Sequence, residues 1–490
     1  MAKSKSESMQ IAESPDDEAD AFKGSHVPPK YRGTAIDRQD MNMLGKKQVL
    51  RRQFRFSTML GFASTVMVAW EFILVVSPFG LSDGGTPVVF WGLLLSPIVM
   101  LPVYASLAEV ASMSPTAGGQ YHWVSELAPP RFQRGLSYSV GWLIALGWQV
   151  FLCSVSFVVS TLILGLAKLN FPGYSILAWH ETLLTIAIVV FCVLFNLFLA
   201  VRLPLIEAVV LILHVLGVFV IIIPLWVMAP RGNAHDTILH FTNDSGYSDK
   251  ALASTIGIVP MIGMLIGYDC TIHMSEETKD ASRTIPLVVV WAVASNALML
   301  IVVGWTYIFC LGDLDSVLNT ETGQPMIQVF YNATRNRAGT TIMVVVVIVI
   351  FISACVGQVA TASRQMWSFA RDKGSYTAFN AFNSLGTVSI LFSYTITIGC
   401  LIWRRIFGKP LPSRRWSLGR WGLPINIISL CFTTPMLFFY VWPLYHPVTA
   451  QNMNWSSAMF FGVLIIAAIY YIFKGRHDYV GPVMHVKRQE

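Results

Sequence analysis

Eleven apolar runs constrain this chain more than any other feature. They lie at about 56–80, 87–110, 136–167, 182–201, 204–228, 254–273, 285–311, 339–363, 377–403, 422–446 and 455–473. A helix needs about 20 such residues to cross a hydrocarbon core of about 30 Å. The chain is 54% hydrophobic and 12% charged, whereas a soluble domain carries about 25% charge. The sequence therefore predicts an all-α polytopic membrane protein. The third run is long, which predicts a tilted span.

The net charge of +7 sits in the tail and in short loops. There it sets orientation in the lipid bilayer and is no signal for nucleic acid. Residues 1 to about 52 are rich in Ser, Asp, Glu and Lys and have no apolar period. They read as a disordered tail without a signal-peptide core. Lys46, Lys47, Arg51 and Arg52 precede the first span, so the N-terminus is expected in the cytoplasm. Loops 111–135, 274–284 and 364–373 and the turn at Arg202 then fall inside, each with basic residues. Loops 229–253 and 312–338 fall outside and carry the sequons Asn243 and Asn332, as acceptors on a lumenal face would.

After Gly374 the count fails. The span 377–403 would end outside, yet RRIFGKPLPSRRWSLGR follows it, with Arg404, Arg405, Lys409, Arg414, Arg415 and Arg420 and no acid. A third sequon, Asn454, would fall inside. One more span between Gly374 and Thr377 repairs both faults; a re-entrant 377–403, or a tolerated exception, is the alternative.

Within the sixth run, Gly267, Tyr268 and Asp269 interrupt the helix at bilayer depth. A glycine and an ionisable residue are costly there unless the helix is broken and lines a cavity. The stretch ends in Glu276, Glu277, Lys279, Asp280 and Arg283, closed by Pro286. This cluster is either a solvated loop or an inner gate of ion pairs. His214 sits near the middle of the fifth span. It is either a proton carrier or a neutral histidine bonded across helices. Glu207, nearer the inner end, reads as a snorkelling side chain, and His273 as structural. Glu71 either lines the pathway or faces the outer vestibule. Glu109, at the inner end of span two, reads as a gating or folding residue. Six of seven cysteines lie in apolar spans and none forms a CxxC pair. With no metal cluster, nucleophile elbow or GxxxxGK[ST] motif, the sequence predicts no enzyme, no ATP-driven pump, no catalytic residue and no cofactor or metal.

The motif GYDCTIHMSEETKDASRTIP (Gly267 to Pro286) resembles the sixth-span signature of amino acid–polyamine–organocation permeases. SMSPTAGGQYHWVSELAP (Ser112 to Pro129) and ASRQMWSFARDKG (Ala362 to Gly374) resemble loops of the fungal amino acid/choline/GABA permease branch, and the likeness covers about 55–475. It implies a LeuT-type 5+5 inverted repeat plus two C-terminal spans. Members usually have twelve spans, and here the chain jumps from DKGS to YTAFN, as if the ninth were missing. A splice variant, a gene-model error or a true deletion would each leave this gap. The implied divisions are a tail at 1–55, a first repeat at 56–228 and a second repeat at 254–403 lacking span nine. A basic loop with the last two spans follows at 404–473, and a cytoplasmic tail at 474–490.

The resemblance also implies a substrate site where spans one and six are broken: Thr65, Val66, Met67, Val68 and Ala69 facing Ile266, Gly267, Tyr268 and Asp269. Met67 and Ala69 stand where the family has glycine, which weakens the case for backbone wrapped around an α-carboxylate. Trp70 either offers a cation–π face or packs. The implied function is a secondary transporter, a proton symporter importing amino acids or related amines in the plasma membrane (or the vacuolar membrane). Choline or GABA as substrate, an impaired variant, and a non-transporting sensor are the alternatives.

Overall fold

The computed structural model describes residues 27–371, 386–449, 453–476, 479 and 481–486. Among them there is no strand, only an isolated bridge between Phe54 and Thr278. The helices that matter are α1 (Ala35–Met43), α2 (Phe56–Met67), α3 (Ala69–Gly84), α4 (Thr86–Met113), α5 (Gln120–Leu127), α6 (Gln133–Asn170), α7 (Ala178–Leu199), α8 (Leu203–Met228), α9 (Lys250–Gly263), α10 (Cys270–His273), α11 (Ala281–Phe309), α12 (Pro325–Thr334), α13 (Arg337–Arg371), α14 (Gly386–Phe407), α15 (Gly422–Tyr440) and α16 (Ser456–Tyr470).

Among the described residues nine helical stretches are long and apolar enough to cross a membrane. One of them, Ala178–Met228, is α7 and α8 joined by the single turn Ala200–Arg202, and α9 adds a shorter apolar helix. The protein is thus an all-helical, multi-pass membrane protein. Two apolar runs are not single helices: the first divides at Val68 into α2 and α3, and the sixth stops at Gly263 and resumes at Cys270. The junction 372–385, which holds the start of the ninth run and the expected gap, lies outside the described residues.

Helix α4 packs along α11, and α6 along α13. Small residues permit the close approach, as lipid-embedded packing requires: a Cβ on Gly141 of α6 would lie 2.7 Å from Phe369 Cδ2 of α13. Helix α7 buries only Ile188 and Cys192.

One face of the bundle gathers the basic groups. Arg364 and Arg371, at the end of α13, bind Glu277 and Glu276. Arg405 and Arg414 bind Glu109 at the end of α4, and Arg415 binds Asp280. So the basic stretch after α14 shares a face with the 274–284 loop. Helix α14 begins toward the opposite side, where Val388 lines a cavity with Phe79 and Tyr440. The chain therefore leaves α13 at the basic face and enters α14 from the other side, with only the 14 residues 372–385 between.

The expected N-terminal tail is corrected for its described part. Residues 27–55 fold over the basic face. Thr34 and Asp37 form a capping box on α1. Asp37 also accepts the N–H groups of Asp280 and Ala281 at 2.9 and 3.0 Å, at the start of α11. Arg52 is 1% exposed, pairs with Asp37 at 3.1 Å, and donates to the carbonyls of Ser275 and Thr278. A polar composition read as disorder because its partners lie more than two hundred residues away in sequence. Arg52→Ala leaves Asp37 buried without its counter-charge, an expected cost of about 3 kcal/mol. A thermal midpoint equal to wild type in purified protein would refute this. The C-terminal residues are likewise docked: Tyr479 is buried with its hydroxyl 2.7 Å from Ser137 Oγ, and Val483 N donates to Ser125 Oγ.

Candidate functional site

The two helix breaks meet inside the bundle. Val68 takes left-handed backbone, φ 44° and ψ 42°, which a β-branched residue adopts only at a cost of order 1–3 kcal/mol. Gly267 has φ 111°, a conformation open chiefly to glycine. A Cβ on Gly267 would lie 2.6 Å from Met67 Cε and 3.6 Å from Trp148. Met67 of the first break thus packs directly on Gly267 of the second.

The second break is held from three sides. The N–H groups of Gly267 and Tyr268 both donate to the Tyr104 hydroxyl of α4, at 2.8 and 3.2 Å. Asp269 is fully buried and accepts from Gln120 Nε2 at 2.7 Å and from the Tyr394 hydroxyl of α14 at 2.6 Å. His273 Nε2 lies 3.3 Å from the same carboxyl, while Nδ1 donates to Ala117 O at 2.8 Å. With Nδ1 committed to a carbonyl, a proton has to sit between Nε2 and Asp269 for that contact to attract.

A second polar set joins α3, α8 and α11. His214 Nδ1 lies 2.7 Å from Glu71 Oε1, and Nε2 lies 3.1 Å from Asn296 Oδ1. Asn296 donates its Nδ2 to Ala292 O, so its Oδ1 accepts from His214 Nε2–H. One proton then lies between His214 Nδ1 and Glu71, whichever of the two carries it. All three side chains are fully buried, so Glu71 does not face a vestibule. The Trp70 ring lies tilted beside His214, with centroids 5.8 Å apart. Glu207 does not snorkel: it is 1% exposed and accepts from Thr65 Oγ1 of α2. Gln358 of α13 donates to Val66 O at 3.2 Å.

From the face opposite the basic one, a cavity of about 370 Å³ reaches both breaks, with Met67, Gly263 and Met264 in its lining and Phe72, Phe151, Tyr440 and Trp442 on its walls. At the basic face the loop after the second break is packed and ion-paired. Glu276 accepts two hydrogen bonds from Arg371, at 2.9 and 2.7 Å, and others from Thr116 Oγ1 and Ala117 N. Glu277 accepts from Arg364 Nε at 2.7 Å. Both glutamates are nearly inaccessible, at 2% and 4% exposure, so this is no solvated loop. Burial alone would raise the Glu276 carboxyl, but the Arg371 hydrogen bonds and charge, with Lys46 and the Ala117 N–H, hold it down at about 2. A depressed value stabilises the fold above the ordinary 4.5 and loses that contribution as pH falls toward 2. Protease protection of loop 275–280 is thus expected to be unchanged between about pH 7 and pH 5 and to fail nearer pH 3. Loss of protection already near pH 6 would refute this.

Of the predicted residues, the structure brings together Met67, Val68, Ile266, Gly267, Tyr268 and Asp269, and sets Trp70, Glu71 and His214 beside them. Thr65 and Val66 face Glu207 and Gln358 instead. Glu109 lies apart, anchoring the basic stretch. Asn243, Asn332 and Asn454 lie in segments at the cavity's face: Asn243 beside the end of α3, Asn332 in α12, and Asn454 on the cavity lining. Sequence reasoning missed Tyr104, Gln120, Asn296, Gln358 and Tyr394. Asn296 and Gln358 carried a usable signal, as lone polar residues in apolar runs; the tyrosines carried none.

The amino acid permease family matches residues 54–377. The chain belongs to this family. It is 30% identical over 443 residues to a putative amino acid/polyamine transporter of Macrophomina phaseolina, covering 82% of this chain and 98% of that one. It is 24% identical over 470 residues to a choline transporter of Saccharomyces cerevisiae, covering 88% and 83%. It is 26% identical over 510 residues to an amino-acid permease of Schizosaccharomyces pombe, covering 94% and 92%. The 94% of this 490-residue permease is about 460 residues, so about 50 of those 510 positions face a gap in it. The family's members are transporters rather than enzymes, and this permease is an integral membrane protein of that kind.

Proposed function

We propose that this permease is a secondary active transporter that imports amino acids or related amines, coupled to protons, by alternating access. The observation that carries this is the meeting of two backbone breaks, where Met67 packs on Gly267, beside a cavity lined by Met67, Gly263 and Met264. Broken helices placed opposite one another are how transporters built on an inverted repeat form a midplane site. In this reading spans one to five and six to ten are the two repeats. The basic face is cytoplasmic by the positive-inside rule, and the plasma membrane or the vacuolar membrane houses the protein. The Glu276–Arg371 and Glu277–Arg364 pairs are the closed inner gate. Asn243, Asn332 and Asn454 are the glycosylation acceptors of the outer face.

Two buried groups are the proton-coupling candidates: the Glu71–His214 pair, which holds a proton between its members, and Glu207, which links α8 to Thr65 of α2. The test is radiolabelled uptake in a permease-deficient host. Uptake is expected to rise as external pH falls and to collapse with a protonophore. His214→Ala is expected to cut the pH response at least tenfold while Glu109→Gln leaves its shape unaltered. A protonophore-insensitive signal would overturn proton coupling.

A second reading, an impaired variant lacking span nine, is favoured by one observation. Helix α13 ends at the basic face while α14 enters from the other side, and the family match itself stops at residue 377.

A further inference from the structure

The loop that joins α14 to α15 carries the sequence Arg414-Arg415-Trp416-Ser417-Leu418. Of all serines and threonines in the chain, only Ser417 has arginine at both the second and the third position before it. Paired arginines at that spacing suit the acidic substrate groove of a basophilic protein kinase, because each guanidinium can meet a carboxylate through charge-assisted hydrogen bonds. Ser417 is exposed and lies in non-helical backbone, as a segment drawn into a kinase groove must be. The same residue touches a buried charge. Its hydroxyl donates to Glu109 Oε1 at 3.2 Å, and Glu109 is fully buried near the end of α4. That oxygen also accepts from Arg414 Nε at 2.8 Å and from Leu418 N at 3.2 Å, while Arg405 binds the other oxygen. Ser112, on the next turn of α4, accepts the N–H groups of Arg415 and Trp416 at 3.1 and 3.0 Å. Glu109 and Ser112 thus hold this loop against α4, and the exposed hydroxyl makes one of the bonds.

We infer that Ser417 is a phosphorylation site for a basophilic protein kinase, and that its phosphate releases the α14–α15 loop from α4. In the transfer, the bond between the γ-phosphorus of ATP and the β–γ bridging oxygen breaks, and a bond from that phosphorus to Ser417 Oγ forms. ADP leaves with the bonding electrons, and the serine proton passes to a base of the kinase. The product has lost the hydrogen that bonded Glu109 and carries a charge of about −1.5 to −2 beside that carboxylate. The two anions repel, and they compete for the guanidiniums of Arg405 and Arg414. As those arginines turn to the phosphate, the amides of Arg415, Trp416 and Leu418 lose the α4 side chains that hold them. This rests on the basic face being cytoplasmic, where kinase and ATP are found.

The test treats the full-length purified permease with ATP and the catalytic subunit of cyclic-AMP-dependent protein kinase. Sites are mapped by mass spectrometry, and loop opening is followed by hydrogen exchange. Ser417 is expected to be labelled, and exchange of the amides of residues 415–418 to quicken about tenfold while α9 (Lys250–Gly263) is unchanged. Ser417→Ala is expected to take up no phosphate in this loop and to show no kinase-dependent change in exchange. Ser417→Thr keeps an acceptor hydroxyl and is expected to restore both. No labelling of the wild type at Ser417 overturns the inference, as does labelling that leaves exchange in the loop unchanged or slows it. Sealed membrane vesicles separate this from the orientation on which it rests. With kinase and ATP added outside, labelling is expected in inside-out vesicles. Labelling confined to right-side-out vesicles would overturn the cytoplasmic assignment of the basic face, and the inference with it.

Discussion

Restoring a helical span between Arg371 and Gly386 is expected to raise uptake at least tenfold per copy of protein at the cell surface. The segment to insert is an apolar helix of about 20 residues with a polar turn at each end, enough to cross a core of about 30 Å. The physical reason is length. Arg371 is fixed at the basic face by its bonds to Glu276, and α14 starts toward the other side. The 14 residues between them would measure about 21 Å as a helix, short of a core of about 30 Å. Extended, they would reach about 46 Å, but a non-helical crossing leaves backbone groups unpaired in hydrocarbon, at several kcal/mol each. A few such groups outweigh a net folding stability of about 5–15 kcal/mol. The readout is surface-normalised uptake together with the fraction of protein that resists aggregation in mild detergent. Equal values for the inserted and the present chain would show that the bundle tolerates the short connection, and would remove the impaired-variant reading.

What was legible in the sequence divides along a physical line. The spans were legible because lipid demands long apolar runs, and the sixth-span break because Gly267 and Asp269 are out of place in one. The anomaly in loop charge after Gly374 was legible because loop charges report the side of the membrane, and the bonds of Arg405, Arg414 and Arg415 set that stretch beside Glu109 and Asp280. The break at Val68 carried no such mark, since valine is an ordinary residue of an apolar helix; only the family likeness placed it. Partner choice was not legible at all. Asp37 and Arg52 look like solvated charges until α11 and the 275–278 loop are brought against them. Asp269 looked free for a ligand because nothing in its own neighbourhood announces Gln120 or Tyr394.

Asp269 is accordingly expected to act as a positioning residue, and its removal to have the largest effect of any single substitution here. Its carboxyl is the one group that ties the second break to Gln120, to α14 through Tyr394, and to His273. Asp269→Ala leaves those donors buried and unsatisfied, at about 1–3 kcal/mol each, and frees the Gly267–Tyr268 turn to drift from Met67. Uptake is expected to fall more than a hundredfold, with a thermal midpoint lowered in parallel. Asp269→Asn keeps one acceptor oxygen but turns an N–H₂ group toward the second donor, so an intermediate loss of stability is expected. The contrast with a substrate ligand is measurable. If Asp269 bound the solute directly, Asp269→Asn would raise KM and leave the midpoint of the unliganded protein where it was. If it positions the break, Gln120→Ala, which touches only the Asp269 side of the arrangement, should reproduce a large part of the Asp269→Asn defect in both midpoint and kcat. A Gln120→Ala protein with unaltered stability and unaltered uptake would return Asp269 to the substrate.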